Sequence, residues 1–420
     1  MNDKLKLLAQ SAFAIPGMIA TAQAAGPAST EASYRYSYYS EDDSPAARDD
    51  SGGAQDRYKI KVHQFHLLTP LTDKIAVAVE GSYETMAGAS PVYTYIPAGE
   101  EEVYAHFSGA SEEQRYDLSV SGRLYGATSE LGAGAYLSEE RDYLALSGSV
   151  DGSIQLNNQM TTLSGGVSGG YDFIEPTSVY EAGSTEQAVN EPARFGASGQ
   201  TKWQVSVFEG VSQIIDMNTV AQASLAFTYK NGYLSDPYRD CIKYAPTVPC
   251  DIRPSTRAIG TLNLGLRKFL PEFNGALHAD YRLFLDTWDI ASHTLDFNYY
   301  QNWAPDWRFF TANDIKFQLI PGIRYYMQSN AYFYEVPDLN DSIGGVVYNT
   351  DTSRYYSSDP RLAQYGAIAL KTRLRVDFRQ LSWVGALERY VANPGYGFNS
   401  SELPGLPSYW RFTTGLDYRF

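Results

Sequence analysis

The sequence predicts an all-β fold: a transmembrane antiparallel up-and-down β-barrel of about 16 strands (14–16), with long extracellular loops and short periplasmic turns. Three observations carry this expectation. The C-terminal segment alternates, with Trp410, Phe412, Thr414, Leu416, Tyr418 and Phe420 on one face and Arg411, Thr413, Gly415, Asp417 and Arg419 on the other. Successive residues of a strand point to opposite sides, so one face suits lipid and the other water. Similar segments recur along the chain, and the links between them alternate long and short. A barrel with both termini in the periplasm requires that parity, whereas a soluble sandwich or propeller does not.

In chain order, the alternating segments lie near residues 33–40, 57–68, 74–86, 114–125, 129–138, 142–157, 160–173, 200–213, 218–231, 255–268, 275–287, 292–303, 315–330, 362–378, 382–392 and 409–420. Ile75, Val77, Val79 and Tyr83 form one apolar face. Leu277, Tyr281, Leu283 and Leu285 form a second, and Ile368, Leu370, Leu374, Val376 and Phe378 a third. Their alternates are polar: Glu80 and Glu84; His278, Asp280 and Arg282; Lys371, Arg373, Arg375 and Asp377. A period of two excludes amphipathic helices. The long links, 41–56, 87–113, 174–199, 232–254, 331–361 and 393–408, all follow odd-numbered segments. Proline clusters in the links, as its missing N–H demands, with Pro321 the main exception.

Composition agrees. Mean hydropathy is -0.33, and no apolar run is long enough to span a bilayer as a helix. Tyrosine is abundant, at 34 residues, which suits the aromatic girdles of a barrel. The net charge of -15 disfavours nucleic acid, whose phosphates need a basic surface. At the N-terminus, Lys4 and Lys6 precede a moderately apolar stretch and an Ala22-Gln23-Ala24 cleavage site. Residues 1–24 therefore read as a secretory signal peptide, and 25–420 as a single barrel domain. Cys241 and Cys250 fall in one proline-rich loop of an exported chain, where a disulfide is expected. Two thiolates without a nearby histidine do not make a metal site.

Several motifs, Glu84 to Pro91, Gly232 to Arg239, Asp286 to Thr294 and Pro321 to Ala331, resemble a family of bacterial exported barrels catalogued as domain of unknown function 3570. The likeness runs over essentially the whole mature chain. At Glu84 the sequence departs from the family's Asp-x-Val-Ser-Gly-Ala-Ser-Pro, which weakens any role for an aspartate there. Family members are often encoded beside a thioredoxin-like protein, a small lipoprotein and a flavin-transferring maturation protein. The resemblance thereby points by association to envelope redox or flavin biology and implies no activity of its own.

Two groups of candidate site residues emerge. Asp236, Arg239, Arg257, Asp286, Asp289 and His293, with Arg324, gather at the extracellular rim and read either as turn chemistry or as a vestibule site. Lys371, Arg373 and Arg375 form a basic ladder beside Arg324, continued by Arg379, and Asp280 and Asp296 lie on other staves. Opposed charged walls would select solutes in a pore, whereas ion pairs would plug it. Ser292 and His293 are adjacent, so their side chains diverge, and no catalytic set is expected. The expected role is an outer-membrane barrel conducting small polar or anionic solutes, without enzyme activity, cofactor or metal. The alternative is a non-conducting component of an envelope redox or flavin-linked system. Expected partners are outer-membrane lipid and, by association, the thioredoxin-like protein and small lipoprotein, with the barrel itself a monomer.

Overall fold

The computed structural model describes residues 26–43, 56–107, 111–175, 199–237, 251–339, 353–399 and 402–420. The signal segment, Arg239, Cys241 and Cys250 lie outside them. The strands are β1 (Glu31–Glu41), β2 (Lys59–Thr72), β3 (Ile75–Gly88), β4 (Pro91–Tyr95), β5 (Tyr104–Phe107), β6 (Ser111–Tyr125), β7 (Ser129–Glu140), β8 (Tyr143–Leu156) and β9 (Thr161–Ile174). They continue as β10 (Gln200–Asp216), β11 (Thr219–Gly232), β12 (Thr256–Leu270), β13 (Gly275–Asp286), β14 (Ala291–Trp303), β15 (Ile315–Gln328), β16 (Tyr365–Phe378), β17 (Leu381–Asn393) and β18 (Ser408–Arg419). All except β4 and β5 form one closed sheet of 16 strands, each hydrogen-bonded to its chain neighbours, with β18 pairing β1 to close the ring. Closure leaves no open edge, which is the condition for a sheet to stand in hydrocarbon.

The alternation sorts the side chains as the sequence implies. Trp410, Phe412, Leu416, Tyr418 and Phe420 are exposed on the outside, together with Ile75, Val79, Leu277, Leu285, Leu370 and Leu374. The small, polar and charged alternates line the lumen. Links at one end are tight, such as the one between Asp216 and Thr219. The link between β14 and β15 is longer and holds a short helix, Arg308–Ala312. Phe310 of this helix meets the outward Phe317 with ring centroids 5.8 Å apart, so the turn rests on the rim of the apolar belt. The long links gather at the other end.

The structure departs from expectation in two places. The link after β3 contains the β4–β5 hairpin, whose short strands carry too few alternations to be read. The segment expected from 362 begins at Tyr365, because Pro360–Leu362 form a 3-10 turn and the Asp359 side chain accepts the Arg361 N–H. Pro321 is tolerated within β15 because the β14–β15 ladder is interrupted there, passing from Asn298↔Gly322 to Gln301↔Leu319. Its ring lies on the lipid-facing side of the strand.

This orientation is testable with cysteines placed in a Cys241→Ser, Cys250→Ser chain. Asp289→Cys, in the β13–β14 turn, should react with an impermeant maleimide on whole cells. Asn218→Cys, in the β10–β11 turn, should react only after permeabilisation, and the opposite pattern would invert the barrel.

Candidate functional site

The lumen is a wall of charges already paired. Arg324 donates from Nε to Asp296 Oδ2 at 2.7 Å, and Lys371 Nζ donates to both Asp296 oxygens at 2.7 Å. Staves β14, β15 and β16 thus share one carboxylate between two cations. Arg375 donates to Asp377 at 2.7 Å and to Ser382 at 2.9 Å, and lies 3.6 Å from Asp417. Arg35 reaches Asp417 from β1. It lies across Gly415, where a Cβ would stand 2.4 Å from Arg35 Cδ. Asp280 pairs with Arg267 at 2.6 Å, Glu388 with Arg411, and Glu84 with Arg115 at 2.7 Å. The basic and acidic walls expected to face each other are therefore local pairs between neighbouring staves, since register brings complementary side chains side by side. Arg379 is not part of the ladder: it sits in the inner turn after β16 and donates to Asn313 at 3.3 Å. Two lumen cations stand apart. Arg282 and Arg373 are exposed to the interior and, among the described residues, make no ion pair or hydrogen bond.

A band of tyrosines lies on the lumen face toward the long-loop end. Tyr39, Tyr409 and Tyr390 pack in sequence, with ring centroids 4.5 and 4.8 Å apart, and Tyr326 and Tyr365 continue the band at 5.8 Å. The Tyr39 hydroxyl donates to Glu41 at 2.6 Å and that of Tyr409 to Glu388 at 3.1 Å. Tyrosine abundance suggested lipid girdles alone. Strand parity was the available signal for the inner set, because Tyr409 is the alternate of the outward Trp410.

Above this band the described parts of the links after β1, β3, β11, β15 and β17 contact one another. Their centre is a chain of buried charges drawn from separate loops. Arg361 bridges Asp236 at 3.1 Å and Asp359 at 2.6 Å; Arg253 bridges Asp359 at 3.1 Å and Asp251 at 2.9 Å. Ser357 donates to Asp251, and Thr94, from the β4–β5 hairpin, donates to the Ser358 carbonyl at 2.9 Å. A buried Arg57–Glu41 pair at 2.6 Å adds the first loop, and Arg57 also donates to the Gly405 carbonyl at 3.3 Å. Asp359 is 1% exposed and Arg253 5%, so the centre of the chain is shielded from water, while Arg361 keeps partial exposure. Burial alone would lower the Arg253 pKa. The carboxylates of Asp251, Asp359 and Asp236 outweigh it and raise the guanidinium above its ordinary value, so it stays charged. Burial also pushes the Tyr356 phenol up.

The rim candidates divide between these features. Asp236 joins the charge chain. Arg257 donates from Nε to Asp286 at 2.7 Å and lies over Trp288, 4.1 Å from the ring centroid. Asp286 also accepts from the N–H groups of Trp288 and Ile290, each at 2.9 Å, so it serves the turn as well. Asp289 is the tip of that turn, at φ 65°, and its carbonyl accepts from Ser329. Trp288 and Ile290 meet Ala331, Phe333 and Leu362 in a buried apolar cluster that fastens the cap to the rim. His293 does not join the vestibule. It lies on the outer face of β14, hydrogen-bonded to the Tyr281 hydroxyl at 2.8 Å, while Ser292 points inward. Sequence reasoning missed Asp251, Arg253, Asp359 and Arg361, because residues in irregular links carry no periodicity to mark their direction. Among the described residues no group of His, Cys, Asp and Glu has the geometry of a metal site.

Closed sheet, apolar belt, polar lumen and folded outer loops define a transmembrane β-barrel of the outer-membrane type. The chain belongs to the family described as "Protein of unknown function (DUF3570)", whose model matches residues 5–415. No curated protein matches it. Among solved structures it is similar to a bacterial polysaccharide outer membrane secretin, at TM-score 0.49 and 9% identity over 93% of this chain and 98% of that one. It is similar to CdiB from Acinetobacter baumannii, at TM-score 0.48 and 8% identity over 93% and 60%. The FrpB iron transporter from Neisseria meningitidis follows at TM-score 0.42 and 9% identity over 94% and 82%.

Removing one member of the cap chain should loosen the cap and spare the barrel. Arg253→Ala leaves the buried Asp251 without its cation and Asp359 with Arg361, a change worth about 3–5 kcal/mol. Limited proteolysis should then cut within 353–364 while the folded barrel keeps its heat-modifiable gel mobility. An equally resistant variant would show that the charges do not hold the cap.

Proposed function

We propose that this protein is an outer-membrane channel for small polar or anionic solutes, held closed at its outer mouth by its own loops. The observation that carries this reading is the largely buried charge chain Asp236–Arg361–Asp359–Arg253–Asp251 above a lumen that keeps two uncommitted cations, Arg282 and Arg373. Paired charges largely offset one another along the wall, with one positive charge in excess where Arg324 and Lys371 share Asp296. Unpaired ones remain free to meet a passing anion. A cap centred on ion pairs is suited to opening, since water and salt replace those partners when it separates. The second reading is a non-conducting binding or assembly component, with the thioredoxin-like protein and small lipoprotein as its periplasmic partners. The depth of burial of the cap favours it.

Planar-bilayer conductance separates the two. The wild-type barrel should be mostly silent, and Arg253→Ala or Asp359→Ala should give steps of porin size. If both variants fold and stay silent, the non-conducting reading holds.

Selectivity is read in the opened variant. A unit charge about 4 Å from an ion matters by roughly 4 kcal/mol at an effective dielectric near 20, as an upper limit that salt reduces. Arg373→Glu should therefore move the reversal potential toward cations, most at low ionic strength, without disturbing the fold. Arg375→Glu should instead impair folding, because it sets a third carboxylate beside Asp377 and Asp417. An unchanged reversal potential in folded Arg373→Glu would remove that residue from the conduction path.

A further inference from the structure

The outer face carries an anomaly that the channel reading does not use and does not depend on. Glu209 lies near the middle of β10, and its side chain alternates with those of Val207 and Val211 on the exposed face. It is paired in register with Leu225 of β11 and Gly165 of β9. Other outward charges among the described residues, Lys59, Lys61, Glu112, Glu139, Lys268 and Arg389, lie toward the ends of their strands, where headgroups and water reach them. No hydrogen bond or ion pair to Glu209 exists among the described residues. Hydrocarbon does not tolerate an ionised carboxylate, and a neutral carboxyl there is one donor and one acceptor that both need a partner. Ionisable groups at that depth are expensive and are retained where a partner meets them.

The relief around Glu209 says which partner fits. Toward the outer end on its β6–β9 side is an apolar groove of about 660 Å³, floored by Ala135, Gly148 and Gly169 and edged by Val205. Neither glycine of this floor is crowded: a Cβ added at Gly148 would have its nearest atom 3.7 Å away, and one added at Gly169 3.8 Å away. Internal packing therefore does not require glycine there, and the hollow is open to an outside neighbour. Toward the inner end on the β11–β14 side is a second groove of about 500 Å³, floored by Ala221, Ala223 and Ala279 and edged by Val211. The other two quadrants stand proud. Leu225 and Phe227 are 61% and 54% exposed beside the first groove's mirror position, and Ile154 and Leu163 project at the inner end of β8 and β9. Rotation by 180° about the membrane normal through Glu209 exchanges left and right and preserves depth. It sets the Leu225–Phe227 ridge of one molecule against the outer groove of another, and Ile154 and Leu163 against the inner groove. The same axis brings the two Glu209 carboxyls together, each able to donate to the other's carbonyl oxygen.

We propose that this face is an in-membrane two-fold contact between two copies of the chain, with the paired Glu209 carboxyls on the axis. Small residues permit the close approach, and the carboxyl pair supplies directional hydrogen bonds where water cannot compete. This replaces the expectation of a monomer with that of a parallel dimer.

The experiment keeps Glu209 and uses Val207→Cys in the Cys241→Ser, Cys250→Ser background, treated in native membranes with a short bis-maleimide. A covalent species of twice the chain's mass is expected. Thr372→Cys, outward on the distant stave β16, should remain monomeric. Adding Glu209→Leu to Val207→Cys should weaken association about tenfold, equivalent to about 1.4 kcal/mol, whereas Glu209→Gln, an amide that can also pair with itself, should retain it. Heat-modifiable mobility checks that each variant is folded. A Val207→Cys barrel that stays monomeric, that cross-links to a different protein, or whose dimer is indifferent to Glu209→Leu overturns the proposal.

Discussion

Everything in this molecule follows from the need of each backbone N–H and C=O in hydrocarbon to find a partner within the protein. The β1–β18 pairing, Glu31↔Arg419 through Glu41↔Tyr409, meets that need by joining the two ends of the sheet. The terminal strand is thus the seam of the sheet, and Phe420 continues it by donating its N–H to the Thr30 carbonyl at 2.9 Å. Once the sheet is closed, each residue has only two directions available, and the remaining design consists of what is placed on each side.

Inward, the constraint is solvation. A water-accessible lumen must carry polar groups, and in this one they pair with one another across adjacent staves. Asp296 between Arg324 and Lys371, and Asp417 between Arg35 and Arg375, show the pattern. These pairs tie staves together beyond the backbone ladder. The cap repeats the arrangement without strands. Asp359 joins Arg253 and Arg361, which come from different links, so loops with little apolar core of their own acquire a common centre. Burial raises the cost of breaking any single member, which makes the cap cooperative. The apolar cluster of Trp288, Ile290, Phe333 and Leu362 fastens it to one side of the rim.

Outward, the constraint is the absence of water, and side-chain volume becomes the variable. Most of the belt is aliphatic and aromatic, yet β8 and β9 present glycine where lipid contact asks for nothing small. A carboxyl beside those glycines is as unusual outside as an unpaired arginine is within. Both mark positions at which the fold alone does not account for the residue.

The barrel was legible in the sequence because a period of two is local: Trp410 and Arg411 declare opposite faces whatever surrounds them. Strand order followed, since up-and-down closure needs only chain succession and the parity of long and short links. The lumen positions of Lys371, Arg373, Arg375, Asp280 and Asp296 were legible for the same reason, and so was the divergence of Ser292 from His293. What the tertiary structure decided was partnership. That Asp296 pairs with Arg324 and Lys371 while Arg373 stays free depends on register between staves, which alternation does not specify. His293 was misplaced because its rim position was read without its face. The meeting of Asp236, Asp251, Arg253, Asp359 and Arg361 rests on two links that have no repeating geometry, so only their folded arrangement reveals it.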